Sequence, residues 1–332
     1  MRQRINVSDF DLAVTLDCGQ AFRWKCGADA WFEGVVGREV WRLRQENNVL
    51  TWESDPKPTL CPSKEGTFRL HSKDRNSGLP SSGGARGGSP QIHIANYLSL
   101  DRSLHDIVAT FPADDAPLRD AVRRHWGLRV LRQEPWECLA SFIASSNKQI
   151  IQIRQIVELL ARRFGEPIGD GFHAFPTIEA IARASHEQLL ACKLGFRAKY
   201  LLTAARMIES GAVKFDVLRS MEYERALEEL VRLPGVGEKI ANCALLFSCG
   251  FDQAFPIDVW IERSLRRLYF CGNTRGRGLH PRRIALEKRS HKEVTHRQLR
   301  EFARSHFGPY AGWAQQYLFF AERTRNKNTR KS

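Results

Sequence analysis

The chain has no run of eighteen apolar residues and no apolar stretch behind its N-terminal MRQRINVSDFDL. The first absence argues against a membrane-spanning helix and the second against export, so the expected compartment is cytoplasm or nucleoid in a bacterium and nucleus in a eukaryote. Its eight cysteines, at 18, 26, 61, 138, 192, 243, 249 and 271, form no CxxC pair and show no repeated short spacing. That pattern argues against zinc and disulfide frameworks, so reduced thiols, with no metal and no cofactor, are expected. Negative charge is in deficit too: 37 Asp and Glu stand against 51 Lys and Arg, for a formal net charge of +14. A surplus of that size favours a polyanionic partner, most commonly nucleic acid. Residues 73–90, KDRNSGLPSSGGARGGSP, are almost without apolar side chains and hold seven Gly or Pro. They have too little surface to repay the entropy of ordering, and a disordered insertion is expected there.

The 332 residues are 42% hydrophobic, enough for a sizeable core and two or three subdomains. Up to about residue 55, short β-rich runs at 22–24, 31–36, 40–44 and 49–52 are broken by turn residues, which predicts an antiparallel meander. Trp41 and Leu43 alternate with Arg42 and Arg44, giving one apolar and one basic face, as in a sheet that covers a helical body. Residues 91–100 read as an extended segment rejoining that sheet. From Asp101, taken as an N-cap, helical periodicity takes over, with helices expected at 103–111, 117–126, 135–145, 148–164, 177–184, 197–209, 223–231, 238–248, 259–269, 297–307 and 311–323. The class is α+β: a sheet domain over 1–101, a helical body over 102–323 and a basic tail over 324–332.

Residues 233–260, LPGVGEKIANCALLFSCGFDQAFPIDVW, concentrate the chemistry. Leu233 to Gly237 is a tight turn with two glycines, Gly235 and Gly237, free to take positive φ, and its backbone amides can sit against a phosphate. Lys239 follows in the first turn of a helix, where the positive end of the macrodipole disfavours the ammonium and so favours a nucleophilic amine. Asp258 stands as the N-cap of the next helix, with Glu262 in its first turn. Taken alone, this stretch suits either a catalytic lysine and carboxylate or a purely DNA-binding hairpin in which Lys239 touches phosphate and Asp258 only caps.

The stretch resembles the signature of the helix-hairpin-helix DNA glycosylases, Gly-x-Gly-x-Lys with a downstream aspartate, placing the helix-hairpin-helix around 223–249. Four more segments resemble one branch, the eukaryotic-type 8-oxoguanine DNA glycosylases, and with the hairpin span nearly the whole chain. They are CGQAFRW, RQEPWECLASFIASSNKQI, LGFRAKYL and FGPYAGWAQQYLFFAERTR. The resemblance implies a sheet domain packed on a glycosylase body of two lobes. It also implies attack of Lys239 on the sugar C1′, with Asp258 stabilising the cation-like sugar. By the same likeness the carbonyl of Gly19 accepts the N7 hydrogen peculiar to 8-oxoguanine. Gln315 reads the Watson-Crick edge, and Phe319 and Cys243 wall the base pocket. Asn147 fills the gap left by the extruded base, Phe196 wedges into the stack, Arg197 contacts the opposite cytosine, and Gly235 and Gly237 hold phosphate. Only Cys271 follows Asp258, which argues against the iron-sulfur branch of the superfamily.

Some positions depart from the pattern. Lys148, Gln149 and Gln152 stand where the family has further asparagine and an arginine that also reads the opposite cytosine. Phe196 replaces a tyrosine, and Trp260 a common histidine beside the aspartate. The expected partner is double-stranded DNA containing an oxidised purine, met by a monomer. A glycosylase for another damaged base and a non-catalytic helix-hairpin-helix protein are the competing readings.

Overall fold

The structure, a computed structural model, describes residues 2–55, 90–146, 148–270 and 294–328. Most of the expected insertion at 73–90, all but Pro90, lies outside the described residues, as does most of the connection between Phe270 and Thr295.

Five antiparallel strands form the N-terminal sheet: β1 (Arg2–Asn6), β2 (Lys25–Cys26), β3 (Phe32–Val36), β4 (Glu39–Glu46) and β5 (Val49–Asp55), in the order β1-β5-β4-β3-β2. Leu43 lies opposite Phe32 on one side and Trp52 on the other. The alternation in β4 works as read: Trp41 and Leu43 are buried, and Arg42 pairs with Glu33 in solvent. Residues 22–24 are not a strand, because Phe22 and Trp24 are drawn into different cores, Phe22 into the helical body and Trp24 into the sheet domain. The polar edge strand β1 carries too few apolar residues to have been found from periodicity, and the helix α1 (Leu12–Asp17), capped by Asp11, is too short, at six residues, to display one.

The expected extended segment at 91–100 is instead a helix, α2 (Pro90–Tyr97). Ile94, Tyr97 and Leu98 recur at helical spacing, and packing on the sheet decides the matter: all three are buried, with the Tyr97 hydroxyl accepting from Trp24 Nε1 at 2.9 Å.

The body follows as α3 (Leu104–Ala109), α4 (Ala116–Arg124), α5 (Pro135–Ser145), α6 (Ile150–Phe164), a small hairpin β6 (Pro167–Gly169) with β7 (Phe172–His173), α7 (Ile178–Ala182), α8 (His186–Leu190), α9 (Arg197–Glu209), α10 (Phe215–Leu218), α11 (Tyr223–Val231), α12 (Glu238–Ala244), α13 (Val259–Leu265), α14 (His296–Phe307) and α15 (Ala311–Asn328). Ser103, not Asp101, caps α3, its hydroxyl accepting from Asp106 N. Two π-helical turns, Leu245–Cys249 and Arg266–Phe270, extend α12 and α13. The last helix runs past residue 323 into the expected tail because Arg267 and Arg325 both close on the buried carboxylate of Glu322, at 2.6 and 2.7 Å.

The body has two lobes with separate cores. One is built mainly from α5 to α12, the other from α4 and α13 to α15. No helix among the described residues is long and apolar enough to cross a membrane.

Candidate active site

A cavity of about 1120 Å³ opens between the lobes. Its walls include Gly19, Lys239, Cys243, Asp258, Gln315 and Phe319, together with Gly235 and Gly237 at the hairpin. Each of these is delivered by a different local device.

The hairpin joins α11 to α12. Gly235 has φ of +79° and presses on Tyr200, whose Cβ would lie 2.6 Å from any Cβ added there, so both backbone and space require glycine. Gly237 differs from expectation: with φ −87° and ψ 175° it is the extended N-cap of α12, and it borders open space. Both glycines are exposed, leaving the backbone accessible ahead of the helix.

Lys239 rises from the first turn of α12, its Nζ 5.0 Å from the centre of the Phe142 ring. Asp258 caps α13, its Oδ1 accepting from Trp260 N at 3.0 Å and Ile261 N at 2.9 Å. Burial raises its pKa above the ordinary carboxylate value, and those amides and the nearby Lys239 offset the rise only in part. Cys243, one turn along from Lys239, is buried, which pushes its thiol up to about 11 despite Lys239, so it lines the pocket as a neutral group.

Asn242, missed by sequence reasoning, ties these pieces together. Its Oδ1 accepts from the Tyr223 hydroxyl at 2.6 Å and from Phe255 N at 3.2 Å, and its Nδ2 donates to the Glu238 carbonyl at 2.8 Å. A buried asparagine amid core residues in a helical sequence gives no pattern signal. Phe142 is likewise indistinguishable from core until the fold puts it under the lysine.

On the opposite wall, Gly19 has φ of +84°, and a Cβ there would touch the Phe319 ring at 3.4 Å. Its turn is seated by Gln20, whose amide donates to the Arg129 carbonyl at 2.6 Å and accepts from Leu131 N at 2.9 Å. Gln315 Nε2 donates to the Pro256 carbonyl at 3.1 Å, two residues before Asp258. Gln315, Gln316, Phe319 and Arg323 form one stripe of α15 facing the cavity. Arg323 also donates to the Asp17 carbonyl, and pairs with its carboxylate at 3.2 Å.

Two of the residues expected to face the opposite strand are not in this lining. Phe196 is 61% exposed, edge-on to Tyr200. Arg197 is buried, its guanidinium 4.3 Å from the Phe196 ring centre and donating to the carbonyls of Ser146 and Leu194. Asn147 lies outside the described residues. Gln152 is exposed and borders the cavity, and its Oε1 accepts from Gln149 N at 3.1 Å, closing the capping box of α6.

Residues 2–139 match the family model for the 8-oxoguanine DNA glycosylase N-terminal domain, and residues 140–292 match that for the HhH-GPD superfamily base excision DNA repair protein. A probable N-glycosylase/DNA lyase of Methanothermobacter thermautotrophicus is 32% identical over 95% of this chain and 94% of its own. The N-glycosylase/DNA lyase of Saccharomyces cerevisiae is 30% identical over 96% of this chain and 85% of its own. Among solved structures, the Clostridium acetobutylicum 8-oxoguanine glycosylase/lyase, in complex with double-stranded DNA containing cytosine opposite 8-oxoguanine, is 25% identical. It superposes with a TM-score of 0.76 over 98% of both chains. In sequence and in architecture, sheet domain and helix-hairpin-helix body alike, the chain belongs to the 8-oxoguanine DNA glycosylase family of N-glycosylase/DNA lyases.

Proposed function

We propose that this protein excises 8-oxoguanine from duplex DNA and nicks the strand at the resulting site, acting as a monomer. The observation that carries the reading is the single cavity lined by Lys239, Asp258, Cys243, Gly19, Gln315 and Phe319. The target bond is inaccessible inside the duplex, so the nucleotide must be flipped out at a cost of a few kcal/mol. Backbone contacts at Gly235 and Gly237, and filling of the stack by Asn147 and Phe196, offset that cost, with Arg197 turned outward to the opposite base. In the cavity the base lies between Phe319 and Cys243. The Gly19 carbonyl accepts from N7–H, which guanine lacks, and Gln315 faces the Watson-Crick edge.

The Lys239 amine then forms a bond to C1′ as the glycosidic bond breaks, and the bonding pair leaves with the base, which takes up a proton. Positive charge builds on the sugar, and the Asp258 carboxylate, already oriented by two amides, stabilises it. Ring opening of the adduct yields a Schiff base. Loss of a C2′ proton then expels the 3′ phosphate and cuts the strand.

Borohydride trapping tests the reading. Duplex containing 8-oxoguanine opposite cytosine should give a covalent protein–DNA adduct and a nicked product, while undamaged duplex gives neither. Adduct formation with alkylated but not oxidised bases would move the protein to another lesion, and binding without any adduct would leave a non-catalytic hairpin.

A further inference from the structure

Beside Gln315, the cavity wall carries a second amide that none of the roles above uses. Gln316 is 3% exposed, lines the same cavity, and donates from Nε2 to Gln315 Oε1 at 2.7 Å. Its own Oε1 is buried with no hydrogen-bond partner among the described residues. A buried acceptor left unpaired is costly, and one on a residue that lines a cavity can be completed by a ligand there.

The orientation of both amides follows from chemistry. A backbone carbonyl only accepts, so the Gln315 group facing Pro256 must be Nε2. Gln315 Oε1 therefore points the other way and needs a donor, which makes the Gln316 group beside it Nε2 and leaves Gln316 Oε1 as the free end of the chain. What remains for a ligand is one N–H and one lone pair on Gln315, followed by the unpaired oxygen of Gln316. That sequence of donor, acceptor, acceptor complements the Watson-Crick edge of a guanine-type base, which presents the O6 acceptor, the N1–H donor and the 2-amino donor. An adenine-type edge, with a donor, an acceptor and no third group, leaves Gln316 orphaned.

We propose that Gln316 is a further base-reading residue, whose Oε1 accepts a hydrogen bond from the 2-amino group of the flipped oxidised guanine. The inference rests on the reading of the cavity as the base-excision site. It assigns the purine identity of the lesion to α15, apart from the 8-oxo mark that the Gly19 carbonyl detects.

The test compares 8-oxoguanine with 8-oxohypoxanthine, which keeps O6, N1–H, N7–H and O8 but lacks the 2-amino group, each opposite cytosine. The wild-type protein should favour 8-oxoguanine by about tenfold in kcat/KM, the worth of one buried hydrogen bond. The near-isosteric Gln316→Met, which also removes the donor to Gln315 Oε1, should lose about tenfold more on 8-oxoguanine than on 8-oxohypoxanthine, so that the preference collapses. Equal losses on both bases would make Gln316 only a prop for Gln315, and no loss on either would remove it from recognition. Equal excision of the two bases by the wild-type protein would overturn the inference without recourse to any variant. Excision of neither would overturn the base-excision reading as well.

Discussion

On the proposed lesion side of the cavity, Lys239, Asp258, Cys243, Gly19, Gln315 and Phe319 come from separate stretches of chain and meet in one space, several held by hydrogen bonds. On the side proposed to face the opposite strand, Phe196 stands 61% exposed and Arg197 is folded inward onto Ser146. The difference tracks what each side needs. Bond breaking rewards charges and donors already oriented before substrate arrives, since reorganising them would add to the barrier. A wedge or an opposite-base contact has DNA itself as its partner, so in the free protein its side chain either lies open or takes an internal partner.

Substitutions on the two sides should separate accordingly. The largest effect belongs to Lys239→Gln, which removes the proposed nucleophile. Borohydride trapping should vanish, a loss of at least about 10³-fold, while affinity for lesion duplex stays near that of the wild type. Residual adduct in this variant would break the proposed role.

Asp258→Asn comes next, with a loss of about 10²–10³ in the single-turnover rate. An asparagine carbonyl can still accept from Trp260 N and Ile261 N, so the cap and the thermal midpoint should be nearly kept, isolating the charge. The wild-type rate should fall as pH is lowered through the Asp258 pKa. Since burial raises that pKa, the fall begins at higher pH than for an ordinary carboxylate. A pH–rate profile of the asparagine variant should lack this limb.

Gly19→Ala should be milder. Left-handed backbone costs a side chain roughly 1–2 kcal/mol, and the added methyl abuts Phe319, so kcat/KM for 8-oxoguanine should fall about tenfold. Binding to an abasic-site duplex, which carries no base to read, should be unchanged. Equal weakening on both duplexes would point to a general distortion of the turn.

The smallest effect should come from the open side. Phe196→Ala removes an exposed ring, so unfolding stability should stay within about 0.5 kcal/mol. Affinity for lesion duplex should drop about fivefold, the low end of an aromatic–base stacking contribution. A large loss of stability instead would mean that Phe196 is structural, and the contrast between the sides would fail.

Much of the helical body could be read from periodicity and capping. The helices Pro135–Ser145, Arg197–Glu209 and Tyr223–Val231 begin and end where their sequence signals put them, and Asp258 is the N-cap it was taken for. The failures have different causes. Residues 90–97 carry spacing compatible with strand or helix, and only contact with Trp24 and the sheet core selects the helix. Gly237 was free to take positive φ but did not need to, since the turn is made by Gly235 alone.

By itself the sequence determined the helix-hairpin-helix, the lysine at its mouth and the capping carboxylate, because turn chemistry, capping and hydrophobic period act over a few neighbouring residues. Only the tertiary structure decided that Phe142 lies beneath Lys239, that Asn242 braces the approach to Asp258, and that the Gln315 amide is anchored on Pro256 and Gln316 while the oxygen of Gln316 has no hydrogen-bond partner among the described residues. Those facts depend on which groups meet when the helices pack. A ring contact such as Phe142 with Lys239, or a hydrogen bond such as Gln315 with Pro256, 59 positions apart, leaves no local signature in the chain that makes it.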